Sequence, residues 1–542
     1  VPFSAPPERV GGRVWLYGYR RGEVALPALP AQKPGVRIGE ARFEQPRERA
    51  PVAVSAGLHC AEVAPHPDMY HTDTARAGVS KRVTAQTPEI DHALMSELRQ
   101  YVEKWCKNNL TPLPADTDLS VETWLESTKY SLKRKNQLLQ VSKTFRDVMD
   151  DKRNVKVKSF IKDENYPEFK HARAINSRTD EFKVSVGPIF KKIEKEVFAH
   201  KAFIKKIPVA DRPKYIMDLL YRVGAKYPAT DYRSFECSFV AEVMENVEFV
   251  MYRYMTQQLS CKDWFSDILS SVLAGENICD FKYFTVLVQA TRMSGEMCTS
   301  LGNGFTNLMV FGFVCEKLGI EWDGVVEGDD GLFAVNEWKE TTLFKQLGFT
   351  IDMVIHDNIE TASFCGIVFD VNDMNNLCDV KEVLANMSWL NAKYARARDS
   401  KVKALLRCKA LSYAHQYPGC PVVQSMASYV LRITRSLDVR NLAFKACANE
   451  YERETVAEYL GKPVPNRQVG FGSRMIIELK YGVTVESQLK LERYFDETNI
   501  ITPIPESLTW FLPDDWRINR MYVKNSEYDP PSFPILYPIR GA

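Results

Sequence analysis

The chain has 542 residues, 45% hydrophobic and 26% charged, which is enough apolar material for a large core in several lobes. A formal charge of +2 excludes any argument for a nucleic-acid partner from bulk electrostatics. Twelve cysteines without a CxxC pair exclude a zinc-cluster framework and read as reduced, buried thiols, and no apolar run approaches the roughly 18 residues that a membrane span needs.

In chain order, residues 1–90 are rich in Pro, Ala, Gly and Arg. Their weak periodicity predicts extended segments over the surface, with short ordered pieces such as VWLYGY at 14–19. The opening VPFSAPPERVGGR lacks a long apolar stretch and does not read as a signal peptide. From 89 to 110, Ile90, Leu94, Leu98, Val102 and Trp105 recur at helical spacing, and further helices follow, one of them capped by Ser120. The stretch 152–206 holds 15 Lys or Arg against 7 Asp or Glu, a local excess of eight positive charges in a nearly neutral chain. A strand is predicted near 228–232 and a long helix from about 238 to 258. A second clear helix spans 299–318, with Gly319 as its stop. Helical patterns dominate from about 380 onward.

Between the last two of these regions stands VVEGDDGLFAV, residues 325–335. Two apolar runs flank a turn bracketed by Gly328 and Gly331, a short-turn hairpin signal. A polar surface turn is the plain reading. The adjacent carboxylates of Asp329 and Asp330, however, repel each other unless a cation or donor neutralises them. A hard ion such as Mg2+ prefers such oxygens. ATDYRSFECSFV supplies a third carboxylate, Asp231, at a strand end, and Glu236 five residues on. Two metal ions between Asp231 and the turn would suit phosphoryl transfer, which needs positioning and charge neutralisation more than covalent help. The alternatives are a strand-end cap for Asp231 and a charge at a helix N-terminus for Glu236.

RMSGEMCTSLGNGFTN, residues 292–307, carries the next group. Ser294 and Gly295 allow close backbone approach, and Thr299 and Asn303 are four apart on one helical face. A carboxamide at 303 opposite Glu236 could sense a ribose 2′-hydroxyl, the group that separates RNA from DNA precursors. A capped amphipathic helix explains the same residues without a ligand. In the basic stretch, VKVKSFIKDE puts Lys156 and Lys158 on one side of a strand, and HARAINSRTDEF adds Arg173 and Arg178. These could line a channel for triphosphate and template or form a solvated charged face. Lys191, Lys192 and Lys195, interleaved with Glu194 and Glu196, read as exposed helix charges.

Taken together, VEGDD, the ungapped SGEMCTSLGN, DYRSFE, HARAINSR with GPIFKKIEKEVF, and SFCG at 363–366 resemble the motifs of a viral RNA-dependent RNA polymerase of positive-strand RNA viruses. The wording is closest to the tombusvirus-like group. The resemblance implies an α+β right hand of fingers, palm and thumb, the palm an antiparallel sheet flanked by helices. The corresponding division is 1–90 an N-terminal extended region, partly flexible or lacing the fingers, 91–225 the first part of the fingers, 226–236 palm, 237–290 a fingers and palm insert, 291–380 palm, and 381–542 thumb and C-terminal tail. It implies template-directed RNA synthesis by two-metal-ion chemistry with Mg2+, or Mn2+, held by Asp231, Asp329 and Asp330. Lys158, Arg173, Arg178, Glu236, Ser294, Gly295, Thr299 and Asn303 would bind nucleotide. Partners would be template and nascent RNA, nucleoside triphosphates and other viral replicase proteins, in host cytoplasm or recruited to membrane-associated replication complexes. Two positions depart from the family pattern. Glu236 stands where the family has aspartate, and LGFTIDMVIHDN offers Asp352 and His356 but no lysine as general acid. Two other functions fit parts of the pattern. Phe235 beside Glu236 keeps DNA synthesis open, because a bulky aromatic there would block a 2′-hydroxyl, and the basic strip would also suit a non-catalytic RNA-binding replication protein. The tail YDPPSFPILYPIRGA, with Tyr528 and Tyr537, either reaches back as a stacking platform or packs as an ordinary tail.

Overall fold

A computed structural model describes residues 15–16, 29–39, 53–58, 72–145, 147–150, 155–162, 171–391, 394, 397–437, 439 and 459–512. The C-terminal segment with Tyr528 and Tyr537 lies outside the described residues. The architecture is α+β, with three sheets among many helices. The strands are numbered β1–β12 along the chain.

The sheet that matters most has four antiparallel strands in the order β11-β6-β10-β9: β6 (Tyr227–Tyr232), β9 (Trp322–Glu327), β10 (Asp330–Val335) and β11 (Ile351–His356). Both faces of β10 are covered, so its five residues from Gly331 to Val335 are all buried and apolar rather than alternating. The edge strand β11 leaves Val354 exposed. Behind the sheet lies the helix Thr299–Leu318, which ends at Gly319 (φ 68°) as its sequence predicts. Fifteen of its twenty residues are buried, because it is apolar almost all round and packs as a core helix. Its Phe311 stacks on Phe333 of β10 with ring centroids 3.6 Å apart.

A five-stranded sheet, order β2-β8-β7-β4-β5, comprises β2 (Arg37–Ile38), β4 (Lys156–Ile161), β5 (Ala174–Ser177), β7 (Glu276–Asp280) and β8 (Thr285–Gln289). It is antiparallel except where β4 runs parallel to β7. The N-terminal region contributes its edge strand β2, together with the helix Thr72–Arg82, which touches β5. A small sheet joins β1 (Trp15–Leu16), β3 (Ala53–Ser55) and β12 (Trp389–Asn391), the first inside the VWLYGY stretch. The C-terminal half is helical and has its own core, built from residues such as Leu406, Tyr429, Ile477, Leu491 and Phe495.

Most predicted elements have their expected place. The first periodic helix is His92–Asn109, with Leu94, Leu98 and Val102 buried, and Ser120 caps the helix Val121–Ser127. The expected single helix from 238 to 258 is instead three pieces, Phe235–Ser238, Ala241–Asn246 and Glu248–Thr256. Val240 is extended and Val247 sits at φ −119°, ψ −83°, so the chain turns there. The breaks let Phe239, Val243, Met244, Val247, Phe249 and Met251 all enter the main core, which one straight helix with a single apolar stripe does not allow. The described cysteines are free thiols, mostly buried. Among the described residues no helix is long and apolar enough to cross a membrane.

Candidate active site

Glycine builds the double-aspartate turn. Asp330 pairs with Glu327 across the hairpin, leaving Gly328 and Asp329 as a two-residue turn, and Gly328 takes the left-handed conformation (φ 64°). Asn307, on the core helix, donates from Nδ2 to the Asp329 carbonyl at 3.0 Å. A Cβ at Gly331 would meet that Nδ2 at 3.0 Å and Thr230 Oγ1 at 2.6 Å, so the close approach needs glycine. Glu327, beside the turn, is paired with Arg212 at 2.7 Å.

Register brings Asp231 to this turn. Gly331 opposes Thr230, so the next step along the ladder sets Asp231 of β6 beside Asp330 of β10, about 4.8 Å away between strand axes. On the other side, Asp231 opposes Asp352 of β11. Asp352 is taken up by Arg233, which bonds it through Nε. Asp231, Asp329 and Asp330 therefore share one neighbourhood, although 98 residues separate Asp231 from Asp329.

The electrostatics report the crowding. Desolvation pushes the Asp330 carboxyl up to about 6, aided by the negative charges of Asp329 and Asp231, while the Cys365 thiol opposes the shift by hydrogen bonding to it. Asp329 is raised for the same first reason, then by Glu236; Arg173 pulls it the other way. Both side chains still reach solvent, so they occupy a crowded recess, not a sealed interior. Among the described residues no three acidic, His or Cys side chains close around a common point. The donor set nonetheless fits a hard divalent cation: it is all carboxylate oxygen, and its ionised form is held back by like charge that a cation would neutralise.

The residues that the sequence predicts to bind nucleotide each have an identified contact in the fold. Ser294 Oγ donates to Glu236 Oε1 at 3.0 Å. Gly295 (φ 115°) lies against β5, where a Cβ would meet the Asn176 carbonyl at 3.0 Å. Thr299 opens the core helix and donates from Oγ1 to the Met293 carbonyl at 3.3 Å. Asn303 is buried, not turned to solvent, and accepts at Oδ1 from Arg292 Nε at 3.0 Å. Asn307, one turn further, is the residue that grips Asp329, which puts Asn303 on the stripe leading to the double-aspartate turn. Phe235 does not gate this site. It is 1% exposed and packs on Tyr232 and Phe239, with centroids 4.4 and 4.9 Å away.

The cations divide. Lys156, Lys158 and Phe160 are the exposed alternate residues of β4, and with Lys183, Lys282 and Tyr283 they line a cleft of about 960 Å3. Arg173 is exposed and within the electrostatic reach of Asp329. Arg178 also borders this cleft, but it is buried, and its Nε and Nη2 donate to Glu296 Oε1 at 2.7 and 2.5 Å. The sequence predicts a phosphate-holding cation there, and the structure shows one turned into a buried pair. His356 opposes Tyr227, four residues along β6 from Asp231, or about 13 Å. It contacts Thr361 Oγ1 at 2.9 Å, and burial with nearby Lys480 lowers its pKa, which does not suit a general acid.

Sequence reading missed Asn307 and the buried charges Arg292, Glu248 and Glu296. Asn307 carried a signal, since it repeats the spacing of Thr299 and Asn303. The three charges carried none, because their partners lie 44 to 118 residues away.

No curated protein matches the chain. Residues 257–502 match the family described as viral RNA dependent RNA polymerase, a stretch that contains the serine-glycine loop, the core helix, the double-aspartate hairpin and much of the helical C-terminal half. Asp231, Glu236 and the basic strands precede it and are tied to it by β-ladder register, the Ser294–Glu236 bond and the Arg178–Glu296 pair. Over that stretch, a little under half of the chain, and in its α+β fold, the chain is similar to the viral RNA-dependent RNA polymerases, enzymes that join nucleotides on an RNA template.

Proposed function

We propose that this polymerase replicates a viral RNA genome by two-metal-ion phosphoryl transfer, with Asp231, Asp329 and Asp330 holding the ions. The observation that carries the reading is the convergence of β6 and the β9–β10 turn: distant carboxylates share one recess, and the charge of Asp231 helps raise the pKa of Asp329 and Asp330. Mg2+ or Mn2+ bound there would lower the pKa of a primer 3′-hydroxyl and neutralise the phosphate charge. The chain's own residues do the rest. Asn307 fixes the backbone of Asp329 and thereby the aim of its carboxylate. Arg173 supplies positive charge to the triphosphate beside that turn, with Lys158 further out on β4.

Glu236 and Asn303 read the ribose. The Ser294 hydroxyl restrains the Glu236 carboxylate, which keeps acceptor capacity for a 2′-hydroxyl. The longer glutamate is thus held at its carboxylate by a neighbour. Gly295 and Thr299 shape the loop over which template and nucleotide lie. Arg178 acts through Glu296, as a support of that loop. We place the work in host cytoplasm, with other replicase proteins at membrane-associated complexes.

The test is primer-free synthesis on a defined RNA with Mg2+, comparing ribonucleotides with deoxyribonucleotides. Metal-dependent, RNA-templated ribonucleotide polymer is expected. Preference for deoxynucleotides, or synthesis that survives metal chelation, would overturn the reading.

A further inference from the structure

Arg292 is fully buried, and every part of it is engaged. Nε donates to Asn303 Oδ1 at 3.0 Å, and Nη2 donates to Glu248 Oε1 at 2.5 Å. Nη1 lies 3.4 Å from Cys298 Sγ and 3.8 Å from Glu296 Oε2. The flat face of the guanidinium covers Phe239, 4.4 Å from the ring centroid. The backbone N–H of the same residue donates to the Glu236 carbonyl at 3.1 Å. Glu248 is fully buried too, and its second oxygen accepts from Tyr252 Oη at 2.9 Å. Gly302 completes the fit: a Cβ there would lie 2.1 Å from Glu248 Oε2 and 2.6 Å from Arg292 Nη2.

The chemistry of this contact decides which way Asn303 faces. A guanidinium can only donate, so the carboxamide must turn its oxygen to Arg292. Its NH2 is then left for the opposite side, and the choice between amide oxygen and nitrogen follows from the partner. One residue therefore touches both halves of the ribose reader, through a side chain to Asn303 and a main chain to Glu236.

We propose that Arg292, clamped by Glu248, is the positioning residue of sugar selection: it holds Asn303 so that the carboxamide NH2, a donor, is presented to the 2′-hydroxyl. This rests on the reading that Asn303 faces the ribose. Lysine at 292 keeps the charge but lacks the fork that reaches Glu248 and Asn303 together.

The experiment measures kcat/KM for each ribonucleotide and its 2′-deoxy counterpart on one RNA primer-template, in wild type, N303A, R292K, E248Q and R292K/N303A. N303A is expected to lower the ribo-to-deoxy ratio by about tenfold, the loss of one hydrogen bond to substrate. R292K should lower it to a similar extent, and the double variant no further than N303A alone. E248Q, which retains an acceptor and the side-chain shape, should lower the ratio two- to threefold, on the order of half a hydrogen bond. It decides the matter if R292K does not fold. A ratio moved by N303A but unmoved by R292K and E248Q would overturn the role of Arg292 alone. A ratio unmoved by N303A would overturn the ribose reading and this proposal with it. An R292K effect that adds fully to N303A would also overturn it, because Arg292 would then act by another route.

Discussion

Two clusters of charge lie within a few residues of each other in the core helix's surroundings, and the protein treats them in opposite ways. In the loop cluster, Arg178, Glu296, Arg292 and Glu248 alternate in sign and are at most 3% exposed apart from Glu296 at 7%; Arg178–Glu296 and Arg292–Glu248 are hydrogen-bonded pairs, and Glu296 Oε2 faces Arg292 Nη1 across 3.8 Å. In the turn cluster, Asp231, Asp329 and Asp330 share a sign and stand in a recess open to solvent, where burial and then neighbouring carboxylates raise the pKa of Asp329 and Asp330. Buried opposite charges make a rigid frame, since moving any one strands its partner in a dry interior. Crowded like charges make a place that a cation or a polyphosphate with its counter-ions can complete. The core helix joins the two: Asn303 faces the frame and Asn307 faces the turn.

The largest way to break the comparison is at the turn. D329A should abolish elongation, at least about a thousandfold, because charge neutralisation is the main contribution to phosphoryl transfer. Relief of like-charge repulsion should leave thermal stability of the metal-free protein equal or higher. Single-nucleotide incorporation and unfolding midpoints on the same preparation check both halves. D231A should behave the same way. Near-normal elongation in either variant removes that residue from the catalytic assignment.

The frame should respond in reverse, with stability lost first. R292M leaves Glu248 charged and dry, at about 3–5 kcal/mol of stability. R292M/E248L replaces the whole pair and should recover much of that loss, read by chemical unfolding of the three proteins. G302A adds a methyl where Glu248 and Arg292 already meet, and about 1–3 kcal/mol is expected from overpacking. A G302A protein as stable as wild type would mean that the frame is loose.

This contrast also explains what the sequence could and could not reveal. The hairpin was legible because its information is local: glycines at the turn, apolar strands either side, a repeated carboxylate. The helix 299–318 was legible from its composition and Gly319. The meeting of Asp231 with Asp330 was an inference from a motif, and its physical basis, the one-step register between β6 and β10, is a tertiary fact. Arg178 looked like a free cation because a sequence shows the charge and hides Glu296, 118 residues away. Arg292 looked like a flank of the serine-glycine motif. Residues 238–258 read as one unbroken helix because they favour the core on every side, and periodicity cannot show where the chain turns to let them in.

The smallest effect sharpens the comparison at its edge. Lys33, on the segment leading into β2, donates from Nζ to Thr291 Oγ1 at 2.7 Å, just before Arg292. Thr291 and its neighbour Ala290 both hold positive φ (75° and 50°), a conformation that side chains with a Cβ resist. Burial lowers the Lys33 pKa to about 8. The unfolded chain holds this proton up to the ordinary lysine value and the folded chain releases it earlier. Between pH 8 and 10.5 the unfolded state therefore binds more protons, and stability from this group rises with pH. The wild-type unfolding midpoint, taken as a difference from K33M, should climb across that window and be flat below it. Because K33M also removes the bond to Thr291, its ribo-to-deoxy ratio should fall slightly at neutral pH. A flat difference curve would mean that Lys33 titrates as an ordinary surface lysine, leaving the strained root of the loop to the frame alone.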